Sequence, residues 1–343
     1  MTRAAGWLPE GIEEWLPPAS WRLERVRREL LDGYRARGYE LVLTPLLEHL
    51  DALLSGAGSD LEQQTFKLVD PASGRLLGLR ADMTPQVSRI AAQRYPDQKV
   101  VRLCYLGTVL RTRPDGPGGG RSPRQVGCEL FGEPGIEADL EILQLMLETL
   151  HQAGVRDAHL DLGHVGIYRS IAGALGLAGE DEAALFGILQ RKSAPDLDVF
   201  ARQQKLGAAA ARTLAGLMDL NGGVAVLKEA RKRLGTRTAA IAEALAALEQ
   251  TVQRLRKLFP KVPVHVDLAE LRGYRYQTGM VYAAFAPGRG RELARGGRYD
   301  GVGREFGVPR PATGFSADLN ELLRLGQDKS ISHRDTETRR KKK

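Results

Sequence analysis

The sequence is poor in cysteine, tryptophan and methionine, with 2, 3 and 5 of them in 343 residues. Cys104 and Cys128 each sit in a β-like run, and neither belongs to a CxxC or Cys/His cluster with metal spacing. Both are expected to be buried free thiols, and no metal or other cofactor is expected. No stretch approaches the ~18 uninterrupted apolar residues that would span a bilayer. The opening "MTRAAGWLPEGIEEWLPP" lacks the apolar core of a secretory signal, so a cytoplasmic location with no membrane partner is expected.

What the chain does have is 43% apolar and 27% charged residues, enough for one large folded domain or two smaller ones. Its net charge is +8, but residues 327–343, "QDKSISHRDTETRRKKK", hold seven Lys/Arg against three Asp/Glu. Half of the excess therefore lies in a polar tail without apolar pattern, which is expected to be disordered. The rest is spread over 326 residues, and a solvated surface explains it better than a nucleic-acid footprint, which clusters on one folded face.

"SWRLERVRRELLDGYRARGYELVLTPLLE" reads as a helix with Leu23, Val26, Leu30, Leu31 and Tyr34 on one face, ended by Gly38, then a strand through Leu43 closed by Pro45. Between 64 and 132 come short β-like runs, "TFKLVD", "RLLGLR", "VVRLCYLG" and "QVGCELFG", suggesting antiparallel pairing. A helix at "EADLEILQLMLETLHQAG" and a strand at "AHLDLGH" follow. Residues 166–260 are Ala/Leu-rich at helical spacing, after which β-patterning returns with "VPVHVDL", "GMVYAAFA" and "PATGFSAD". The expected fold is α+β: a core of 1–165 and 261–326 around a mixed, mostly antiparallel sheet, interrupted by a helical insertion at 166–260.

Four stretches concentrate polar residues and glycine at strand edges. "LRADMTPQVSR" puts Arg80, Asp82 and Thr84 at alternate positions, one face of an extended chain, where a carboxylate and a hydroxyl can hold an ammonium group. A helix cap explains Asp82 or Thr84 equally well. In "LGTVLRTRPDGPGGGRSPRQVGCELFG", Arg111 leaves one strand while Gln125 and Glu129 share a face of the next. That trio suits a zwitterion carrying a carboxylate and an amine; a cross-strand salt bridge on a solvated face is the even-odds alternative. "LRGYRYQTGMVYAAF" brings Arg272, Tyr274, Tyr276 and Thr278 into a strand, as a pocket for a planar ring or as simple packing. "ARGGRYDGV" has glycines that let a ligand or a neighbouring strand approach the backbone.

In order and spacing these stretches resemble the catalytic core of histidyl-tRNA synthetase, a class II aminoacyl-tRNA synthetase, over nearly the whole chain to about residue 325; "GYELVLTPLLE", "QVGCELFG", "LRGYRYQTG" and "GGRYDGV…PATGFS" carry the likeness. "LRADMTPQVSR" and "GYRYQTG" look closer still to its non-catalytic paralogue, the family of regulatory subunits of ATP phosphoribosyltransferase. The departures separate the two. Arg113 stands where the second synthetase motif has an acidic residue, Glu321 where the third has its triphosphate-gripping arginine, and Asp318 where that motif has glycine. A carboxylate repels a triphosphate where a guanidinium would pair. After residue 326 the sequence runs into the basic tail rather than an anticodon-reading domain.

The amino-acid half of the motif set is better kept. By the resemblance Asp82 stands for a glutamate that takes the α-amino group, Thr84 matches, and Arg111, Gln125 and Glu129 match residues that hold substrate histidine. Arg272 corresponds to the arginine near the carboxylate and Tyr276 to a tyrosine of the imidazole pocket, whereas Arg275 and Gln277 depart from the pattern. The resemblance implies a regulatory subunit without catalytic residues of its own. It would bind the catalytic short-form subunit of ATP phosphoribosyltransferase, respond to L-histidine, and form a homodimer through the first-motif region at roughly 20–50. The alternatives are an active histidyl-tRNA synthetase or an RNA-binding synthetase paralogue acting through the tail.

Overall fold

A computed structural model describes residues 7–55, 59–114, 116, 119–235, 237–269 and 276–326. The tail 327–343 and Arg272, Tyr274 and Arg275 lie outside the described residues. By packing, the chain forms two units, one of 1–134, 141–156 and 300–343, the other of 135–140 and 157–299.

The first unit opens with α1, Ala19–Ala36. Its buried residues Leu23, Val26, Leu30 and Tyr34 recur at helical spacing, so one stripe faces the core; Leu31 is only half-buried. Gly38 ends the helix in the left-handed region at φ +81°, and the Tyr39 N–H reaches back to the Tyr34 carbonyl at 3.1 Å. The strand expected through Leu43 is shorter: β1 is Glu40–Leu41. Beyond it the carbonyls are taken by side chains, with Arg80 Nη1 donating to the Thr44 carbonyl at 2.6 Å and Gln86 Nε2 to the Pro45 carbonyl at 2.9 Å.

β2 (Leu47–His49), α2 (Leu50–Leu54), α3 (Ser59–Gln64), β3 (Phe66–Val69) and β4 (Leu76–Leu79) follow, with the strands in a small antiparallel sheet of order β2-β4-β3. Next come α4 (Thr84–Arg94), β5 (Val101–Thr108), β6 (Arg124–Phe131) and α5 (Ile136–Gln152). β1 pairs parallel with β5, and β5 with β6 antiparallel. α1, β5 and α5 are joined by polar contacts as well as by the core: the Tyr34 and Thr149 hydroxyls are 2.7 Å apart, and Glu141 accepts from Tyr39 and, twice, from Arg102.

The second unit contains β7 (His159–His164), α6 (Val165–Ala174), α7 (Gly179–Gln190), α8 (Ala194–Gln203), α9 (Ala208–Asp219), β8 (Asn221–Gly223), α10 (Val226–Leu234) and α11 (Ala239–Leu258). β9 (Val264–Asp267), β10 (Met280–Phe285) and β11 (Ala294–Arg298) complete it. Its strands run in the order β11-β10-β7-β9-β8, parallel only between β7 and β9. Among the described residues of 166–260 the regular elements are helices apart from the three-residue β8. Residues 300–326 return to the first unit, where β12 (Ala312–Asp318) pairs antiparallel with β6 and leads into α12, residues 319–326.

Cross-strand partners share a face, so the register fixes what each side of β6 carries. One face holds Glu129 between Leu103 and Gly314, Gly127 between Tyr105 and Ser316, and Gln125 between Gly107 and Asp318. The reverse face holds Cys128 between Cys104 and Phe315, with both cysteines free and buried.

Candidate functional site

The polar face of β6 is organised by two glycines. A Cβ at Gly127 would lie 2.5 Å from the Tyr105 hydroxyl, and one at Gly314 would lie 1.5 Å from Glu129 Oε2. Tyr105 and Glu129 therefore lie flat across their neighbouring strands, in space that any side chain would fill. There Glu129, 1% exposed, accepts hydrogen bonds from the Tyr105 and Thr84 hydroxyls, each at 3.1 Å. Burial, and then the charges of Glu129 and Asp82, push the Tyr105 phenol well above its ordinary pKa, so it stays a donor.

Gln125, 3% exposed, joins this carboxylate to a second one. Its Nε2 donates to Asp82 Oδ1 at 3.0 Å and its Oε1 accepts the Met83 N–H at 2.8 Å. Asp82 Oδ1 also accepts the Thr84 N–H at 2.9 Å. Residues 80–84 do not form the extended run expected of them: Thr84 begins α4 with Pro85 beside it, and the ring's fixed φ favours that helical start. Arg80 is engaged apart from the two carboxylates. Its guanidinium donates to the Thr44 and Thr108 carbonyls at 2.6 and 2.9 Å, fills the space over Gly107, and ties the residues after β1 to the end of β5. Burial lowers its pKa.

Arg111, 8% exposed, lies beyond the end of β5, with Nε 3.3 Å from the Ala81 carbonyl. Five of the seven sequence-derived residues belong to the first unit: Asp82, Thr84, Gln125 and Glu129 in one hydrogen-bonded set, and Arg111 on the carbonyl that precedes Asp82. The alternative of a cross-strand salt bridge on a solvated face does not fit Glu129, whose register partners are Leu103 and Gly314 and which is buried. Tyr276 belongs to the second unit, in a turn before β10, and is 39% exposed. Tyr105 was not among the residues read from the sequence; its signal was a tyrosine spaced two residues from Gly107 in a strand whose middle, residues 103–106, is otherwise apolar.

From the C-terminal end of β12, beside Gln125, onward lie positions that differ from an adenylating site. Glu321 is 6% exposed and accepts from Arg324 Nη1 at 3.2 Å, and Asp318 accepts the Asn320 N–H at 3.0 Å. Arg113 is exposed. Chemically, the face offers two carboxylates, two hydroxyls and an amide in one hydrogen-bonded set, with the Arg111 guanidinium on the nearby Ala81 carbonyl, which suits a ligand with both an ammonium and a carboxylate. Among the described residues no group of His, Cys, Asp and Glu could hold a metal ion, and no helix is long and apolar enough to cross a membrane.

A family model described as histidyl-tRNA synthetase matches residues 11–322. A protein of Thioalkalivibrio sulfidiphilus named ATP phosphoribosyltransferase regulatory subunit is 54% identical over 95% of this chain and 82% of its own length. Among solved structures, a Bacillus halodurans protein described as an ATP phosphoribosyltransferase regulatory subunit/histidyl-tRNA synthetase superposes with a TM-score of 0.82 at 28% identity, covering 92% of this chain and 82% of that one. A chain of the ATP phosphoribosyl transferase (HisG:HisZ) complex of Thermotoga maritima shares the fold, with a TM-score of 0.66 at 16% identity over 89% of this chain and 98% of that one.

Proposed function

Because the chain belongs to the family of ATP phosphoribosyltransferase regulatory subunits, built on the histidyl-tRNA synthetase fold, we propose that it is the non-catalytic partner of the catalytic short-form subunit in the first step of histidine biosynthesis, with L-histidine as its effector. The observation that carries this reading is the contrast along β12. Glu129 over Gly314 keeps a buried, hydrogen-bonded carboxylate for an amino acid, while seven residues further on Glu321 puts a carboxylate where an adenylating enzyme needs positive charge. In this reading histidine's ammonium group goes to Asp82 and Glu129 and its carboxylate to Arg111, while Arg272 and Tyr276 are candidate histidine contacts by the resemblance alone.

The core in this reading is 1–165 with 261–326, the helical stretch 166–260 is an insertion into it, and the protein works in the cytoplasm. Homodimer formation through residues 20–50 is supported by a run of apolar side chains open to solvent, Leu41, Leu43, Leu46 and Leu47, with Leu43 80% exposed. The test is to mix the purified chain with the catalytic subunit, assay ATP phosphoribosyl transfer with and without histidine, and titrate histidine calorimetrically into each component and the mixture. The expected outcome is a co-eluting species with histidine-sensitive activity. Separate elution with unchanged activity would refute it.

A further inference from the structure

Residues 9–15 lie against the first unit at two points. At one, the Arg121 N–H donates to the Gly11 carbonyl at 2.7 Å and Arg121 Nη1 to the Glu10 carbonyl at 3.2 Å. Gly11 has φ +74°, and a Cβ there would meet the Arg121 side chain at 2.9 Å, so this close approach requires glycine. At the other, the Glu13 carboxylate accepts from Asn320 Nδ2 at 3.2 Å, from Trp15 Nε1 at 3.1 Å and from the Arg324 guanidinium. The Trp15 ring meets two guanidiniums, Arg124 at 5.6 Å and Arg324 at 5.7 Å from its centroid. Arg124 Nη1 donates to Asn320 Oδ1 at 3.0 Å, which closes the ring of contacts around a side chain only 2% exposed.

Both points lead to the polar face of β6. Arg124 precedes Gln125, whose amide holds Asp82 and the Met83 N–H. Asn320 is bound through its N–H to Asp318, the register partner of Gln125. Arg121 Nε donates to the Arg111 carbonyl at 3.0 Å, and the Arg111 N–H to the Arg121 carbonyl at 2.8 Å. The segment therefore straps together the ends of β6 and β12 and the residue after β5 that carries the candidate guanidinium.

We propose that residues 9–15 form a strap coupled to the ligand face, with Glu13 and Trp15 as positioning residues: a ligand that orders Gln125, Asp82 and Arg111 closes the strap, and a closed strap raises affinity for that ligand by the same factor. For histidine as the ligand, the inference rests on the function proposed above. The strap is held by a partly exposed ion pair, two cation–π contacts and a few hydrogen bonds, so it belongs to the readily opened part of the fold.

In a W7F/W21F protein Trp15 is the one remaining indole. Saturating histidine should protect it from acrylamide quenching by about twofold or more. Trp15→Ala and Glu13→Gln should each weaken histidine binding by about tenfold, within the range of typical couplings, while Trp15→Phe, which keeps a ring over the guanidiniums, should recover most of the loss. Without ligand, backbone amides of 124–126 and 318–320 should exchange faster in Trp15→Ala. Histidine affinities equal to wild type in both variants would overturn the coupling. Should the wild-type protein bind no histidine, the proposed function fails on its own, and the exchange rates decide the strap: unchanged exchange at 124–126 and 318–320 in Trp15→Ala refutes it.

Discussion

Adding one methyl group at Gly314 should remove a carboxylate binding site. Gly314 lies in the strand interior of β12, and its Cβ would stand 1.5 Å from Glu129 Oε2, 2.5 Å from its carboxyl carbon and 2.8 Å from the Cys128 carbonyl. Comfortable contact needs about 3.5 Å, so the carboxylate must swing away by roughly 2 Å. The Thr84 and Tyr105 hydrogen bonds, both at 3.1 Å, cannot survive that movement. Hydrogen bonds to a charged group contribute about 1.5–3 kcal/mol each, and a buried carboxylate that loses its partners costs about 3–5 kcal/mol. Gly314→Ala is accordingly expected to destabilise the protein by about 3–5 kcal/mol in urea unfolding, and to abolish histidine binding by calorimetry. If Glu129 is the cause, Glu129→Ala should make room for the methyl, and Gly314→Ala in that background should cost only about 1 kcal/mol, left by the Cys128 carbonyl. Equal costs in the two backgrounds would refute the argument that Gly314 exists to let Glu129 lie flat.

Three further outcomes follow. Histidine-dependent pyrophosphate exchange should be undetectable in the isolated chain, and Glu321→Arg should not create it; because Glu321 is buried against Arg324, that variant should also lose about 2 kcal/mol or more in a denaturant titration. His164, whose Nδ1 accepts the Gly166 N–H at 3.2 Å, is pushed down from its ordinary 6.5 to about 4 by burial and then by the Arg298 charge. The unfolded chain therefore takes up the proton first, and unfolding free energy should fall by about 1–3 kcal/mol as pH drops from 6.5 to 4, a fall that His164→Gln removes; equal pH slopes for both proteins would contradict it. Leu43→Asp, at a site 80% exposed, should leave the melting temperature of the protomer nearly unchanged but convert a dimer to a monomer in analytical ultracentrifugation.

The elements legible in the sequence are those with local causes. The stripe Leu23, Val26, Leu30 and Tyr34 with Gly38 behind it specifies α1 and its end, and alternation in 124–131 separates Gln125, Gly127 and Glu129 from Val126, Cys128 and Leu130. The gathering of Asp82, Thr84, Gln125 and Glu129 follows from the resemblance, since the pairing of β5 with β6 and β12 arises from contacts distant in sequence. Arg80 and Tyr105 show why the rest was hidden. Arg80 shares a two-residue spacing with Asp82 and Thr84, but with the helix beginning at Thr84 its guanidinium goes over Gly107 to carbonyls from 44 and 108. Tyr105 becomes a donor to Glu129 only because its cross-strand neighbour is a glycine. The strap is equally non-local, joining residues 13 and 324.

The two thiols on the reverse face of β6 give this sheet a built-in clock. Cys104 and Cys128 are 1% and 0% exposed, and burial pushes Cys104 up to about 12 and Cys128 well above the ordinary range, so neither reacts as a thiolate while the strands are paired. Alkylation must wait for the packing over that face, Tyr34 of α1 included, to open. The rate at which an added thiol reagent labels the native chain therefore times the opening of the sheet that carries Tyr105, Gln125 and Glu129 on its other side, and a ligand that stabilises the folded sheet from that side slows the labelling of two atoms it never touches.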